Sequence, residues 1–162
     1  MPEITPLRTD QIAEAKKVIY ATRHDLMHDR PTVEESIALY DVTWPLRDID
    51  TFEESYLAND GAFLVISDNG RVIGTGAFRR LDETACEIKR LWLLPEYQGQ
   101  GLGYRLMTEL LKIAREKGYE VARLETGRIS QSRAYQFYLR LGFYDIHRYG
   151  DDPEDVGMEI VL

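Results

Sequence analysis

Three glycines stand at alternate positions in Gln98-Gly99-Gln100-Gly101-Leu102-Gly103, and the chemistry this spacing suits is the holding of phosphate. Glycine has no Cβ, so its backbone can turn sharply and lie close against a ligand. The preceding Leu91-Trp92-Leu93-Leu94 reads as a strand end, stopped by Pro95. The following Leu102, Leu106, Leu110 and Ala114 lie four apart, the spacing of one helix face. The glycines therefore join a strand to a helix start. There the first N–H groups have no partner inside the helix, and the helix dipole favours an anion. Two common phosphate loops are excluded. A dinucleotide fingerprint needs GxGxxG, and here Tyr104, Arg105 and Leu106 follow the last glycine. A Walker loop needs Lys-Ser/Thr after its last glycine, and neither residue is there. The plain alternative is a glycine-rich connection without a ligand.

The rest of the chain must position this turn. Ile4 to Leu7 suits a short strand, and Thr9 or Asp10 suits the cap of a helix running into the mid-twenties. Pro31-Thr32 before Glu34 and Glu35 marks a second helix start, through about Tyr40, and Asp50 to Ala58 a further short helix. The pattern then changes to strands. Ala62 to Ser67 and Arg71 to Arg80 flank Asp68-Asn69-Gly70, a tight-turn signal, and Ala85 to Leu94 follows as a third strand. After the glycines comes a long helix to Lys117, ended by Gly118. Glu120 to Thr126 is a strand, and Ser130 to Leu141 a helix with an Ala134, Phe137, Tyr138, Leu141 stripe, stopped by Gly142. Phe143 to Tyr149 and Val156 to Leu162 form a closing strand pair. This order predicts one α/β (α+β) domain with a mixed central sheet and flanking helices.

Composition narrows the function classes. A chain of 162 residues has the size of one domain. Its net charge of −8 argues against nonspecific nucleic-acid binding and favours cationic partners such as amines, although solubility alone also explains it. No apolar run reaches the ~20 residues of a membrane span. Met1 to Asp10 lacks a signal pattern, so a cytoplasmic protein is expected. The lone Cys86 reads as a small strand filler rather than a nucleophile. His24 and His28, four apart, lack the third ligand or HExxH context of a metal site, so no metal is expected. Trp44 and Trp92 read as packing residues. Arg79, Arg80, Lys89 and Arg90 could meet phosphates or only water.

Two blocks together resemble the GNAT superfamily of acetyl-CoA-dependent N-acetyltransferases. Gln98, Gly101 and Gly103 match its Gln/Arg-x-x-Gly-x-Gly/Ala turn. Ala134-x-x-Phe137-Tyr138-x-x-x-Gly142-Phe143 is similar to its helix-to-strand junction. The resemblance covers roughly residues 62–149. It implies a single domain over residues 1–162, with acceptor-side helices at about 9–58 and a cofactor-binding core at about 62–149. It also implies that two neighbouring strands splay and that acetyl-CoA lies in the gap. Its contacts would be the main chain of Leu91, Trp92 and Leu93, the turn Gln98, Gly99, Gln100, Gly101, Leu102 and Gly103, and Gln131, which stands where many members have Asn.

Acetyl transfer to an amine needs a base, an oxyanion donor and an acid for the leaving thiolate. The resemblance assigns the donor to the Leu93 N–H and the acid to Tyr138, a phenol with a pKa near ~10 that stays protonated at neutral pH. Tyr138 also shares the apolar stripe, so a core role competes; Tyr135 reads as packing or surface. Glu87, eleven residues before Gln98, is the candidate base, against a surface ion pair with Lys89 or Arg90. Strict strand alternation places Glu87 on one face with Lys89, Leu91 and Leu93. The expected activity is N-acetylation of a small-molecule amine or a protein amine. A noncatalytic acyl-CoA-binding or sensing domain, or a protein-lysine or N-terminal acetyltransferase, are the alternatives. A homodimer is expected by analogy.

Overall fold

In a computed structural model describing residues 1–162, seven strands form one sheet in the order β1-β2-β3-β4-β5-β7-β6. Strand β1 (Glu3–Pro6) leads through a 3-10 turn (Thr9–Gln11) into α1 (Ile12–Met27), α2 (Val33–Thr43), α3 (Arg47–Asp50) and α4 (Phe52–Ser55). Then come β2 (Ala62–Asp68), β3 (Arg71–Arg80), β4 (Ala85–Leu93), α5 (Leu102–Glu116), β5 (Val121–Gly127), α6 (Ser132–Leu141), β6 (Tyr144–Ile146) and β7 (Asp155–Val161). Every strand pairing is antiparallel except β4 with β5. The mixed sheet with flanking helices is the architecture expected from the sequence.

Local chemistry explains the elements that hold the site. Asn69 and Gly70 both have positive φ, 51° and 79°, as the two central residues of a type I′ hairpin turn require, and they set the β2–β3 register. Strand β3 is buried from Val72 to Phe78 because helices cover both of its faces. Helix α5 covers one, with Leu102, Leu106, Met107, Leu110 and Ala114 buried. It approaches closely because Gly76 has no side chain: a Cβ there would meet Leu106 and Leu110 at 3.0 Å. Helix α1 packs over β3 and β4, and its Thr22 hydroxyl donates to the Val18 carbonyl at 2.7 Å and reaches the Leu93 carbonyl at 3.4 Å.

Some boundaries differ from the sequence reading. Arg8 and Gln11, not Thr9 or Asp10, cap the first helical turn; the Gln11 side chain accepts from the Arg8 amide at 3.0 Å. Thr32 does cap α2, accepting from the Glu35 amide at 3.2 Å. The expected helix over Asp50 to Ala58 is α4 and a 3-10 turn, with α3 just before it, separated by the non-helical Thr51. Strand β6 stops at Ile146, because residues 147–150 leave the ladder to lie across the sheet.

Candidate active site

The parallel pairing of β4 with β5 ends early. Its register runs Ala85↔Val121, Cys86↔Ala122 and Glu87↔Arg123 and goes no further. Beyond Glu87, β4 stays paired with β3 while β5 stays paired with β7 as far as Gly127. The two strands therefore diverge into a gap. Burial records it: Lys89 to Leu93 are half-buried although β4 lies inside the sheet.

One face of that gap offers main-chain groups. The Leu94 amide donates to the Ile73 carbonyl at 3.0 Å, so Ile73 and Leu94 are a hydrogen-bonded pair. In an antiparallel ladder the adjacent pair, Gly74 with Leu93, is then the non-bonded kind. The Leu93 amide and carbonyl thus turn away from β3 toward the gap, where the carbonyl accepts from Gln98 Nε2 at 2.8 Å. By the same alternation the main-chain groups of Trp92 turn toward Thr75 of β3, so Trp92 does not share the contact expected for Leu91 and Leu93.

A bulge corrects the expected strand faces. The β3–β4 register shifts between Thr75 and Ala77, and Arg90 takes φ 56°. The extra residue breaks the alternation. Glu87 reaches Arg79, Arg90 reaches Asp48, and Trp92 meets Trp44 at 6.3 Å, all on the side of the N-terminal helices. Leu91 and Leu93 instead point at Gly76 and Gly74, on the α5 side, rather than sharing a face with Glu87. Arg90 donates to both Asp48 oxygens at 2.9 Å, and the Tyr56 hydroxyl donates to Asp48 at 2.5 Å. Burial opposes the Asp48 charge, but these hydrogen bonds outweigh it and hold the carboxyl below its usual value.

The glycine turn closes one end of the gap. Gly99 and Gly101 have φ 83° and 82°, conformations that a side chain would strain. The first hydrogen bond into α5 runs from the Arg105 amide to the Gly101 carbonyl at 3.0 Å, and the amides of Gly99 through Tyr104 have no acceptor in the protein. Six unpaired N–H groups at a helix start fit an anion. Helix α6 faces them: a Cβ on Gly103 would lie 3.5 Å from Phe137 Cζ, and one on Gly99 would lie 3.9 Å from Arg133 Nη2. Arg133 has no acidic partner and reaches the turn at Gly99. The sequence reading missed it. Its place in the first turn of α6, opposite the glycines, was the available signal. Of the four cations that reading named, three are otherwise engaged: Arg79 pairs with Glu87, Arg80 with Asp60 and Arg90 with Asp48, while Lys89 makes no ion pair and lies on β4 away from the turn.

Two groups could move protons. Tyr138 is 7% exposed, packed on Phe137 and Phe143. Its hydroxyl has no protein partner, yet it is not among the fully enclosed unpaired polar atoms. Burial raises its pKa well above the phenol range, so it remains a donor. Glu87 sits at the last β4–β5 rung, with Arg79 at 3.4 Å from Oε1 and the Tyr149 hydroxyl 3.0 Å from Oε2. Gln131 precedes α6 and meets the Thr126 hydroxyl at 3.5 Å. The remaining candidates have structural roles. Cys86 is fully buried with its thiol pushed up to about 12 by burial. His24 bonds the Ser36 hydroxyl at 2.7 Å and meets the His28 ring edge-on. Tyr135 donates to Asp145 at 3.0 Å on the surface. Trp44 packs against Tyr20, Trp92 and the guanidinium of Arg23.

The model of the acetyltransferase (GNAT) family matches residues 22–143, more than half of the chain. The chain belongs to the GNAT acetyltransferase family. It is 35% identical over 104 residues to an IAA acetyltransferase of Azospirillum brasilense, covering 62% of this chain and 67% of that one. It is 30% identical over 101 residues to the uncharacterized N-acetyltransferase YjgM of Escherichia coli K12, covering 60% of each. The alignment thus spans about three-fifths of the latter's length. Among solved structures, an acetyltransferase of GNAT family from Staphylococcus aureus Mu50 superposes with TM-score 0.81 at 19% identity, covering 100% of this chain and 99% of that one. PaiA N-acetyltransferase from Thermoplasma acidophilum, in complex with coenzyme A, gives 0.79 at 23% identity over 100% and 99%. At these identities the likeness is one of GNAT fold. No helix is long and apolar enough to cross a membrane, and no three metal-ligating side chains gather.

Proposed function

We propose that this GNAT protein moves an acetyl group from acetyl-CoA directly to a primary amine. The observation that carries the reading is the set of six unpaired amides, Gly99 to Tyr104, at the mouth of the β4–β5 gap. A coenzyme A pyrophosphate suits those amides and Arg133, and its pantetheine arm suits the gap. That the PaiA structure holds coenzyme A supports this choice. Residues 62–149 then form the cofactor-binding core, and the helices of residues 9–58 shape the acceptor side.

Each residue has a defined task in this reading. The Leu93 amide, free of β3, donates to the thioester oxygen as it gains charge. Tyr138 donates toward the departing thiolate. Gln131 contacts the cosubstrate from the start of α6. Glu87 takes the proton of the amine, directly or through water. A small cationic acceptor is favoured by the carboxylates on that side. Asp155 is raised first by burial and then by the charges of Asp152 and Glu125, and a cationic amine would relieve that crowding.

The test is a panel of free amines and a lysine-containing protein, read by release of free CoA thiol. Turnover with small amines supports the reading. Labelling of the protein alone moves the acceptor to that class. Binding of acetyl-CoA without turnover on any amine leaves an acyl-CoA sensor and overturns the transferase.

A further inference from the structure

We propose that Tyr149 is a positioning residue that holds Glu87 in its working orientation, delivered by a strap of residues 147–150 laid across the acceptor side of the strand split. The inference rests on Glu87 as the proton acceptor.

The strap is tied at several points. On β5, Glu125 Oε2 accepts from the amides of Tyr149, at 3.0 Å, and Gly150, at 2.8 Å. On β4, Glu87 Oε2 accepts from the Tyr149 hydroxyl at 3.0 Å. The strap thus joins the two strands whose own ladder stopped at Glu87 and Arg123. Two glycines let it lie flat. A Cβ on Gly150 would stand 2.3 Å from Glu125 Oε1, and one on Gly157 of β7 would stand 2.9 Å from the His147 carbonyl. A side chain on Gly150 would displace the Glu125 carboxylate that ties the strap, and one on Gly157 would push against the strap's own backbone.

The consequence for Glu87 follows from the groups around it. Arg79 faces it from β3, Arg123 is its register neighbour on β5, and Lys89 follows it on the same face of β4. Arg79 is a loose partner, 3.4 Å away, and its guanidinium also lies over the Tyr56 ring at 5.8 Å. Nothing but the phenol fixes the second oxygen. Without it, the carboxylate would turn fully onto the guanidinium groups and withdraw from the acceptor. With it, each oxygen has one protein partner and keeps an acceptor site for the amine or a relaying water. Burial, and then the Glu87 charge, raise the Tyr149 pKa, so the phenol is always the donor.

The test uses the full chain with acetyl-CoA and two amine probes, 1,4-diaminobutane and a lysine-containing peptide. Tyr149→Phe should lower kcat about tenfold, the scale of one hydrogen bond to a charged group, and leave KM for acetyl-CoA unchanged. Gly150→Ala should give the same kcat loss by displacing the Glu125 carboxylate that anchors the strap. In a Glu87→Gln background, Tyr149→Phe should add no further loss. Amide hydrogen exchange reads the strap without any acceptor: Tyr149 and Gly150 should be protected in the wild type and exchange fast in Gly150→Ala. Wild-type kcat in Tyr149→Phe overturns the inference, as does an equal further loss in the Glu87→Gln background, or unprotected amides in the wild type. Glu87→Gln at wild-type rate sinks the base reading itself. A slow Glu87→Gln beside an unimpaired Tyr149→Phe sinks only the strap.

Discussion

Two alanine substitutions two residues apart should separate stability from cofactor binding in opposite senses. Gly101 has φ 82° with nothing within 4 Å of a built Cβ, so Gly101→Ala costs conformation alone. An L-residue in that region costs about 1–2 kcal/mol. The stiffer unfolded chain returns about 0.4–1 kcal/mol. The net loss is about 1 kcal/mol, or a fall in Tm of about 2–4 °C for a chain of this size. Gly103 is helical, and its Cβ would meet Phe137 at 3.5 Å, an ordinary contact. Gly103→Ala should gain up to about 1 kcal/mol of helix propensity, and Tm should rise. Coenzyme A should report the difference more sharply. Gly101→Ala should relax out of the left-handed region and turn the amides of residues 101 and 102 away from the phosphate. Losing one such charge-assisted bond, about 1.5–3 kcal/mol, weakens binding about 10- to 100-fold. Gly103→Ala should bind as the wild type does. Scanning fluorimetry and titration calorimetry with coenzyme A measure both quantities. Wild-type affinity in Gly101→Ala, or a larger loss in Gly103→Ala, would refute the amide cradle.

Three further outcomes are expected. Tyr138→Phe should lower kcat by about 100-fold, the lower end for a general acid, with Tm unchanged because the hydroxyl has no protein partner; an unimpaired rate removes the acid assignment. Asp48→Ala leaves Arg90 without its partner in a pair whose side chains are 17% and 20% exposed. It should cost about 2–3 kcal/mol, discounted from the fully buried case, measured by urea unfolding, and a loss under half of that would mean the bulge stands without the clamp. Burial raises Tyr20 to about 12 and Tyr56, Tyr138 and Tyr149 higher. Above pH ~10 the unfolded chain releases protons that the folded chain keeps, so stability should fall as pH rises past ~10 and be insensitive to these groups below it; a urea midpoint constant from pH 9 to 11 contradicts this.

The parts of the site that were legible in the sequence are those set by local chemistry. Glycines at alternate positions before a helical stripe gave the turn, and the structure adds the positive φ at Gly99 and Gly101. Asn69-Gly70 gave the hairpin, and Thr32 gave a helix cap. What was not legible depended on residues far apart in the chain. The acids that engage Arg80 and Arg90 lie 20 and 42 positions away. Tyr149 is 62 positions from Glu87, and a β-period reading absorbs it into a strand that the structure ends at Ile146. Arg133 reaches the turn because Phe137 of α6 packs against Gly103 at the start of α5. Strand alternation failed at one place, Arg90, where the β3–β4 register shifts beside the candidate site.

The bulge at Arg90 links both halves of the candidate site. Without its extra residue, the register of Ala77 with Lys89 would continue and set Leu93 opposite Ile73. Ile73 occupies a hydrogen-bonded position, so the Leu93 amide would then be spent on β3. The inserted residue shifts the pairing by one and turns that amide into the gap. It also places Trp92 and the Arg90 side chain on the acceptor face. A non-glycine residue at φ 56° is strained. Here the strain is held by the Thr75 hydroxyl, which donates to the Arg90 carbonyl at 2.7 Å, and by the bidentate Asp48 pair. Asp48 belongs to α3, among the helices assigned to the acceptor. The geometry of the proposed oxyanion donor therefore depends on a residue of the proposed acceptor side, and substitutions in α3 made to change acceptor choice should disturb the rate with every acceptor.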